Sequence, residues 1–221
     1  PSYGDDAKAA AKALIAECEA ALEGVDDPAE LTRLHFEIAR LQEAPLGDLR
    51  RAATHYQSAL KASPEHLPVL RGARRVLIGQ RNFPKVLELY DAEARITSDP
   101  TQKAALLYEK GRLLEKELNK KDDARRAYRA ALELDRSNPA ILRALTERLI
   151  EERRWPEVEQ LLEQTANAVA DDPSHRAVLV AQRARLVERQ SSKSRAAELY
   201  ETALRLDPRA PGALAALKRL H

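Results

Sequence analysis

The sequence predicts an all-α solenoid built from antiparallel helix pairs, about twelve helices in all. Three observations predict it. The composition is that of helices: Ala, Leu, Arg and Glu dominate the 221 residues, against 7 Gly, 2 Phe, 6 Tyr and 1 Trp. These dominant side chains keep their rotamer freedom in a helix and rarely favour strands. The chain repeats itself at an interval of 72 residues. Pro-containing breaks punctuate it at matching places, and a fixed period with regular breaks marks stacked helix-turn-helix units.

Ala59, Ala131 and Ala203 share the interval, as do Tyr56, Tyr128 and Tyr200, then Ala52, Ala124 and Ala196, then Leu60, Leu132 and Leu204. A second set interleaves: Phe83-Pro84 matches Trp155-Pro156, Val86 matches Val158, and Leu70, Leu142 and Leu214 align. Each 72-residue unit is therefore a pair of unlike repeats of about 36 residues. Apolar residues within a repeat fall at helical spacing in two runs, as in Leu106, Leu107, Gly111, Leu114 and then Ala124, Tyr128, Ala131, Leu132. Each repeat is thus two antiparallel helices.

Taken in order, 1–221 reads as a single solenoid. Residues 5–23 form the second helix of an incomplete repeat, because Leu14, Cys18 and Leu22 lie 72 residues before Val86, Tyr90 and Ala94. Cys18 then reads as a small core residue. Residues 28–208 hold five complete repeats. The breaks around them are Asp27-Pro28, Ser63-Pro64, Asp99-Pro100, Asn138-Pro139, Asp172-Pro173 and Asp207-Pro208. Pro blocks helix continuation there, and Asp or Asn caps the next start. Pro84 and Pro156 instead open second helices, where a missing N–H costs nothing. Residues 211–221 form a first helix whose Ala213, Leu214, Ala216 and Leu217 leave an apolar stripe. Both ends are expected to be cut through a repeat, with further repeats in a parent protein or a last helix acting as its own cap.

This pattern resembles the tetratricopeptide-repeat family over nearly the whole chain. The family's signature is a small residue late in the first helix, then Ala, an aromatic and Ala on the second, ending in Leu-x-Leu-Asp-Pro. The clearest copies are Leu107 to Leu114 around Gly111 with Ala124, Tyr128 and Ala131 through Leu134-Asp135, and Ala196, Tyr200 and Ala203 through Leu206-Asp207-Pro208. Arg74, Thr146 and Lys218 depart from it at the small position of alternate repeats, and Thr165 replaces an Ala, so these copies are expected to pack less closely. The resemblance implies a right-handed superhelix whose concave face, lined by first helices, binds other proteins.

It also implies which positions face inward. Right after the small residue stand Arg40, Arg75, Arg112, Arg185 and Arg219, with Glu147 the exception; three before it stand Phe36, Arg71, Tyr108, Arg143 and Ala181. The candidate groove is therefore Phe36, Arg40, Arg71, Arg75, Tyr108, Arg112, Arg143 and Arg185, a wall suited to an acidic peptide or helix. Glu43, Glu115 and Glu188 follow Arg40, Arg112 and Arg185 by three residues, the spacing at which opposite charges meet on a helix, so much of the stripe is expected to be self-neutralised. A chaperone-binding clamp of Lys and Asn is not matched. Tyr56, Tyr90, Tyr128, Tyr200, Phe83 and Trp155 are expected to pack between repeats.

Catalysis finds no support, since an enzyme needs convergent polar groups. His35, His55, His66, His175 and His221 include no His-x-x-x-His pair, and the single Cys forms no cluster, so no metal site is expected and each His reads as a helix-surface residue. No Gly-rich phosphate loop calls for a cofactor. A net charge of +2 argues against a nucleic-acid surface. No apolar run approaches the roughly 20 residues that span a bilayer, and the N-terminus lacks a signal-peptide layout. The sequence holds no Met, which suggests a fragment or processed start and leaves the compartment open, with cytoplasm favoured. Arg far outnumbers Lys, which points to a bacterial genome. The expected function is a protein–protein interaction scaffold or adaptor that is not an enzyme. The alternative is a structural spacer or self-associating part of a longer array, acting through the terminal helices, and single-stranded RNA binding stands third.

Overall fold

The computed structural model describes residues 3–220, which form twelve α-helices and no strand. They are α1 (Tyr3–Ala21), α2 (Pro28–Glu43), α3 (Leu49–Ala62), α4 (Leu67–Gly79), α5 (Phe83–Ile96), α6 (Pro100–Lys116), α7 (Lys121–Leu134), α8 (Pro139–Glu151), α9 (Trp155–Ala168), α10 (Pro173–Arg189), α11 (Lys193–Leu206) and α12 (Ala213–Leu220). The chain divides into two compact units, Pro1–Asn119 with α1 to α6 and Lys120–His221 with α7 to α12. Within each unit every helix packs on its successor, and the short connections make neighbours antiparallel.

Four of the six expected breaks are helix starts. Asp27, Asp99, Asn138 and Asp172 accept hydrogen bonds from backbone N–H groups of the first turns of α2, α6, α8 and α10, with Pro following each. Ser63 and Asp207 instead end α3 and α11, and the chain makes a further turn before α4 and α12 begin. Pro84 and Pro156 lie in the first turns of α5 and α9.

The second helices bury the rings that carry the period. Tyr56, Tyr128 and Tyr200 are all but inaccessible, and Tyr90 and Phe83 are buried, whereas Trp155 is half-buried. In the first unit Tyr56 sits among Ala39, Ala52, Ala59, Val69, Ala73 and Val76. In the second, Tyr200 is surrounded by Ala181, Ala184, Ala196, Ala203 and Ala213.

Three sequence expectations about packing are corrected. On α1 the buried residues are Ala11 and Ile15, while Leu14 is 48% exposed and Cys18 half-buried. This helix rests mainly on α2, and support from one side buries only a narrow i, i+4 stripe. On α12, Ala213 and Ala216 are buried and Leu217 packs beside them, leaving Leu214 outward. The first α4 copy packs closely despite Arg74. Its backbone meets α3 at Gly72, where a Cβ would lie 2.5 Å from the Tyr56 ring. Arg74 lies 4.5 Å from the Tyr90 ring centroid and pairs with Glu93, which is 1% exposed and also accepts from Arg71 Nε at 2.8 Å. A buried carboxylate thus accommodates the large cation, whose burial alone would be costly.

Candidate partner-binding groove

Six of the eight expected groove residues lie in the first unit. Phe36 on α2 is half-buried, with ring centroids 6.0 Å from Tyr56 and 6.0 Å from His66. Arg40, one helical turn on, lies over Phe36 at 5.8 Å, and on α6 Arg112 lies over Tyr108 at 5.9 Å. The i, i+4 spacing of both pairs places the cation above the ring. Arg71 is drawn to Glu93, as described above.

The ion pairs differ from the expected intrahelical ones. Glu43 pairs with Arg75 of α4, whose Nη2 donates to it at 2.6 Å, rather than with Arg40. Glu188 likewise pairs with Arg219 of α12 rather than with Arg185. The cause is a buried tyrosine: Tyr56 and Tyr200 each donate their hydroxyl to that carboxylate at 2.9 Å, turning it toward the next helix. Arg40 and Arg112 meet Glu37 and Glu109, one turn back. The Arg75 hydrogen bond, aided by Tyr56, holds the Glu43 carboxyl below the usual range. For Glu188, burial pushes upward, but the hydrogen bonds from Tyr200 and Arg219 outweigh it and the carboxyl ends low. Burial, then the bond to Glu188, pushes the Tyr200 phenol up to about 12, and burial, then the bond to Glu43, raises Tyr56.

Arg143 and Arg185 come together in the second unit. They line a groove of about 1000 Å³ between α8 and α10, together with Val158 and Leu162 of α9 and Pro211. Its apolar lining includes Leu142, Ile150, Val178 and Leu186. Sequence reasoning missed Arg189, Arg209 and His175, which share this lining. Arg189 follows Arg185 by one helical turn, a signal that was readable; Arg209 sits in the α11–α12 connection, where no periodicity announces it. Four arginines therefore face two acids, Glu147 and Asp207. Arg143 lies 3.9 Å from Glu147 with both side chains well exposed. Arg185 donates to the Pro211 carbonyl at 2.7 Å, a neutral partner.

Among the described residues no group of three or more His, Cys, Asp or Glu is placed to hold a metal ion, and no helix is long and apolar enough to cross a membrane. One pair of histidines, His35 and His55, is in contact and half-buried, unlike the surface positions expected for them.

Residues 104–138 match the tetratricopeptide-repeat family model. Comparison with curated proteins finds no match. Among solved structures, the C-terminal part of a TPR repeat-containing protein from Cytophaga hutchinsonii is 15% identical, with 84% of this chain and 73% of that one covered and a TM-score of 0.53. YrrB, a TPR protein with an unusual peptide-binding site, is 19% identical over 84% of this chain and 91% of that one, with a TM-score of 0.46. Pseudomonas aeruginosa pilF is 17% identical over 99% and 98%, with a TM-score of 0.46. Repeats of this family generally mediate protein–protein interaction and are generally non-enzymatic scaffolds. One repeat, from α6 into α7, thus matches the tetratricopeptide-repeat model, and the same residues recur at fixed spacing on either side of it.

Proposed function

We propose that this chain is an adaptor that holds an acidic, partly apolar segment of a partner protein in the groove between α8 and α10. The observation that carries the reading is the composition of that groove: an apolar lining that includes Leu142, Ile150, Val178 and Leu186 beside Arg143, Arg185, Arg189 and Arg209. Arginine forks onto carboxylates in bidentate fashion, and apolar surroundings that exclude water strengthen such pairs. Apolar side chains of the partner supply the burial, and its acids set the register.

Selection of displayed peptides on the immobilised chain tests this. Enriched sequences are expected to combine Asp or Glu with Leu, Ile or Phe. Arg185→Glu with Arg189→Glu is expected to weaken their binding at least tenfold at low salt and less at high salt, because exposed charges are screened over about 10 Å at 0.1 M. Enrichment of basic peptides, or binding indifferent to the charge reversal at every salt concentration, refutes the proposal.

A further inference from the structure

We propose that His35 and His55 form an acid-sensitive latch between α2 and α3, in which one ring donates to the other along a direct Nδ1···Nδ1 hydrogen bond that a second added proton breaks. The two nitrogens are 3.1 Å apart, and the ring centroids 5.3 Å apart at a tilt of 49°. The difference between those separations is nearly two ring radii, so the nitrogens face each other along the line joining the rings. A tetrahedral metal ion held by both would sit off that line and hold the two nitrogens about 3.3–3.4 Å apart, for bonds of about 2.0–2.1 Å. The geometry favours the hydrogen bond.

Such a bond needs one Nδ1–H and one bare Nδ1, so the two neutral rings hold opposite tautomers. The first proton from solvent adds to the free Nε2 of the donor ring and makes it a stronger donor. A second can add only at the acceptor's Nδ1, where it sets two N–H groups and two positive charges against each other. The pair therefore titrates in two coupled steps and loses its contact at the second.

Both rings are half-buried, and burial, with the neighbouring ring in the case of His35, pushes them below the ordinary imidazole value. Of the surrounding charges, Glu19 of α1 favours the charged form of His55, while Arg51 of α3 opposes it. Arg33 and Glu37 flank His35 on α2 and act on Cys18 of α1, and His66 lies tilted against the adjacent Phe36. Because the folded chain prefers neutral rings, the unfolded chain binds more protons below about pH 6.5. The stabilisation is complete above that value and is lost as pH falls. Acid thus loosens α2 against α3, in the repeat that presents Phe36 and Arg40.

Nitrogen-detected NMR titration of the imidazoles in the full chain, from about pH 8 to about pH 4, tests the latch. Two steps separated by more than about one pH unit are expected in the wild type. In His35→Gln or His55→Gln the remaining ring should titrate in a single step at a higher pH than the second wild-type step. Between pH 7 and 5 the unfolding equilibrium constant of the wild type should rise more than that of the double variant, because the unfolded chain takes up protons that the folded pair resists. Independent single-step titration of both wild-type rings overturns the proposal, whether or not the variants fold. So does stoichiometric Zn²⁺ shifting the same nitrogens at neutral pH, which would make the pair a chelate.

Discussion

Gly72→Ala separates close backbone packing from ordinary helix energetics. In an open helix the change would stabilise by about 0.8–1.0 kcal/mol, because Ala loses less backbone freedom than Gly. Here the new Cβ would lie 2.5 Å from Tyr56 Cε1, 2.5 Å from Cζ and 2.7 Å from the hydroxyl oxygen. The ring cannot swing aside freely, since Tyr56 is 0% exposed and its hydroxyl is fixed by Glu43, itself gripped by Arg75. Overpacking of this kind costs about 1–3 kcal/mol, so the net expectation is destabilisation by up to roughly 2 kcal/mol once the helix gain is subtracted. Urea unfolding of the full chain measures it as a lower midpoint at unchanged slope. Gly79→Ala is the control: its Cβ would lie 3.1 Å from a single Leu49 methyl at the exposed end of α4, and a change within about 0.5 kcal/mol is expected. In a Tyr56→Phe background the Gly72→Ala cost should shrink by about 0.5 kcal/mol or more, since contacting residues couple. A Gly72→Ala protein more stable than the wild type would refute the close approach.

Glu93→Ala should destabilise by about 3–5 kcal/mol, because it strands the largely buried Arg74 guanidinium; Arg74→Leu with Glu93→Leu should recover most of that loss in the same urea experiment, and equal losses would contradict the buried pair. Alkaline titration followed by tyrosinate absorbance should show Tyr200 ionising only toward pH 12. Its folded value lies above the ordinary phenol value near 10, so its contribution to stability is whole below about pH 10 and fades as pH rises. Glu188→Gln removes the acceptor's charge and should lower that ionisation; six tyrosines titrating together near 10 in a folded chain would count against the buried bond.

The repeat was readable because the period is written in identical residues: Tyr56, Tyr128 and Tyr200 fill equivalent buried sites, and a buried ring between alanines tolerates little change. The caps were readable because Asp27-Pro28 and its relatives act within one turn of chain. What escaped depended on contacts between helices. The i, i+3 rule pointed Glu43 at Arg40, but the Tyr56 hydroxyl orients the carboxylate toward Arg75, 32 residues on. Gly72 passed unnoticed because the signature directs attention to Arg74, two residues later. His35 and His55, 20 residues apart, form no motif and meet only because α2 and α3 fold back on each other. In the groove, Arg143 and Arg185 followed from the repeat register, whereas Arg209 lies in a connection that the register does not index.

The Tyr–Glu–Arg bridges divide the arginine stripe into two classes with different evolutionary freedom. Arg75 and Arg219 serve the joint between one helix pair and the next helix, so relatives that alter either should alter Glu43 or Glu188 in step. Arg143, Arg185 and Arg189 carry no such obligation. Under the proposed role, relatives adapted to a different partner should therefore diverge first at these three positions, while the bridge residues co-vary as sets, and an acidic-for-basic exchange along α8 and α10 would change the charge of the groove without disturbing the fold.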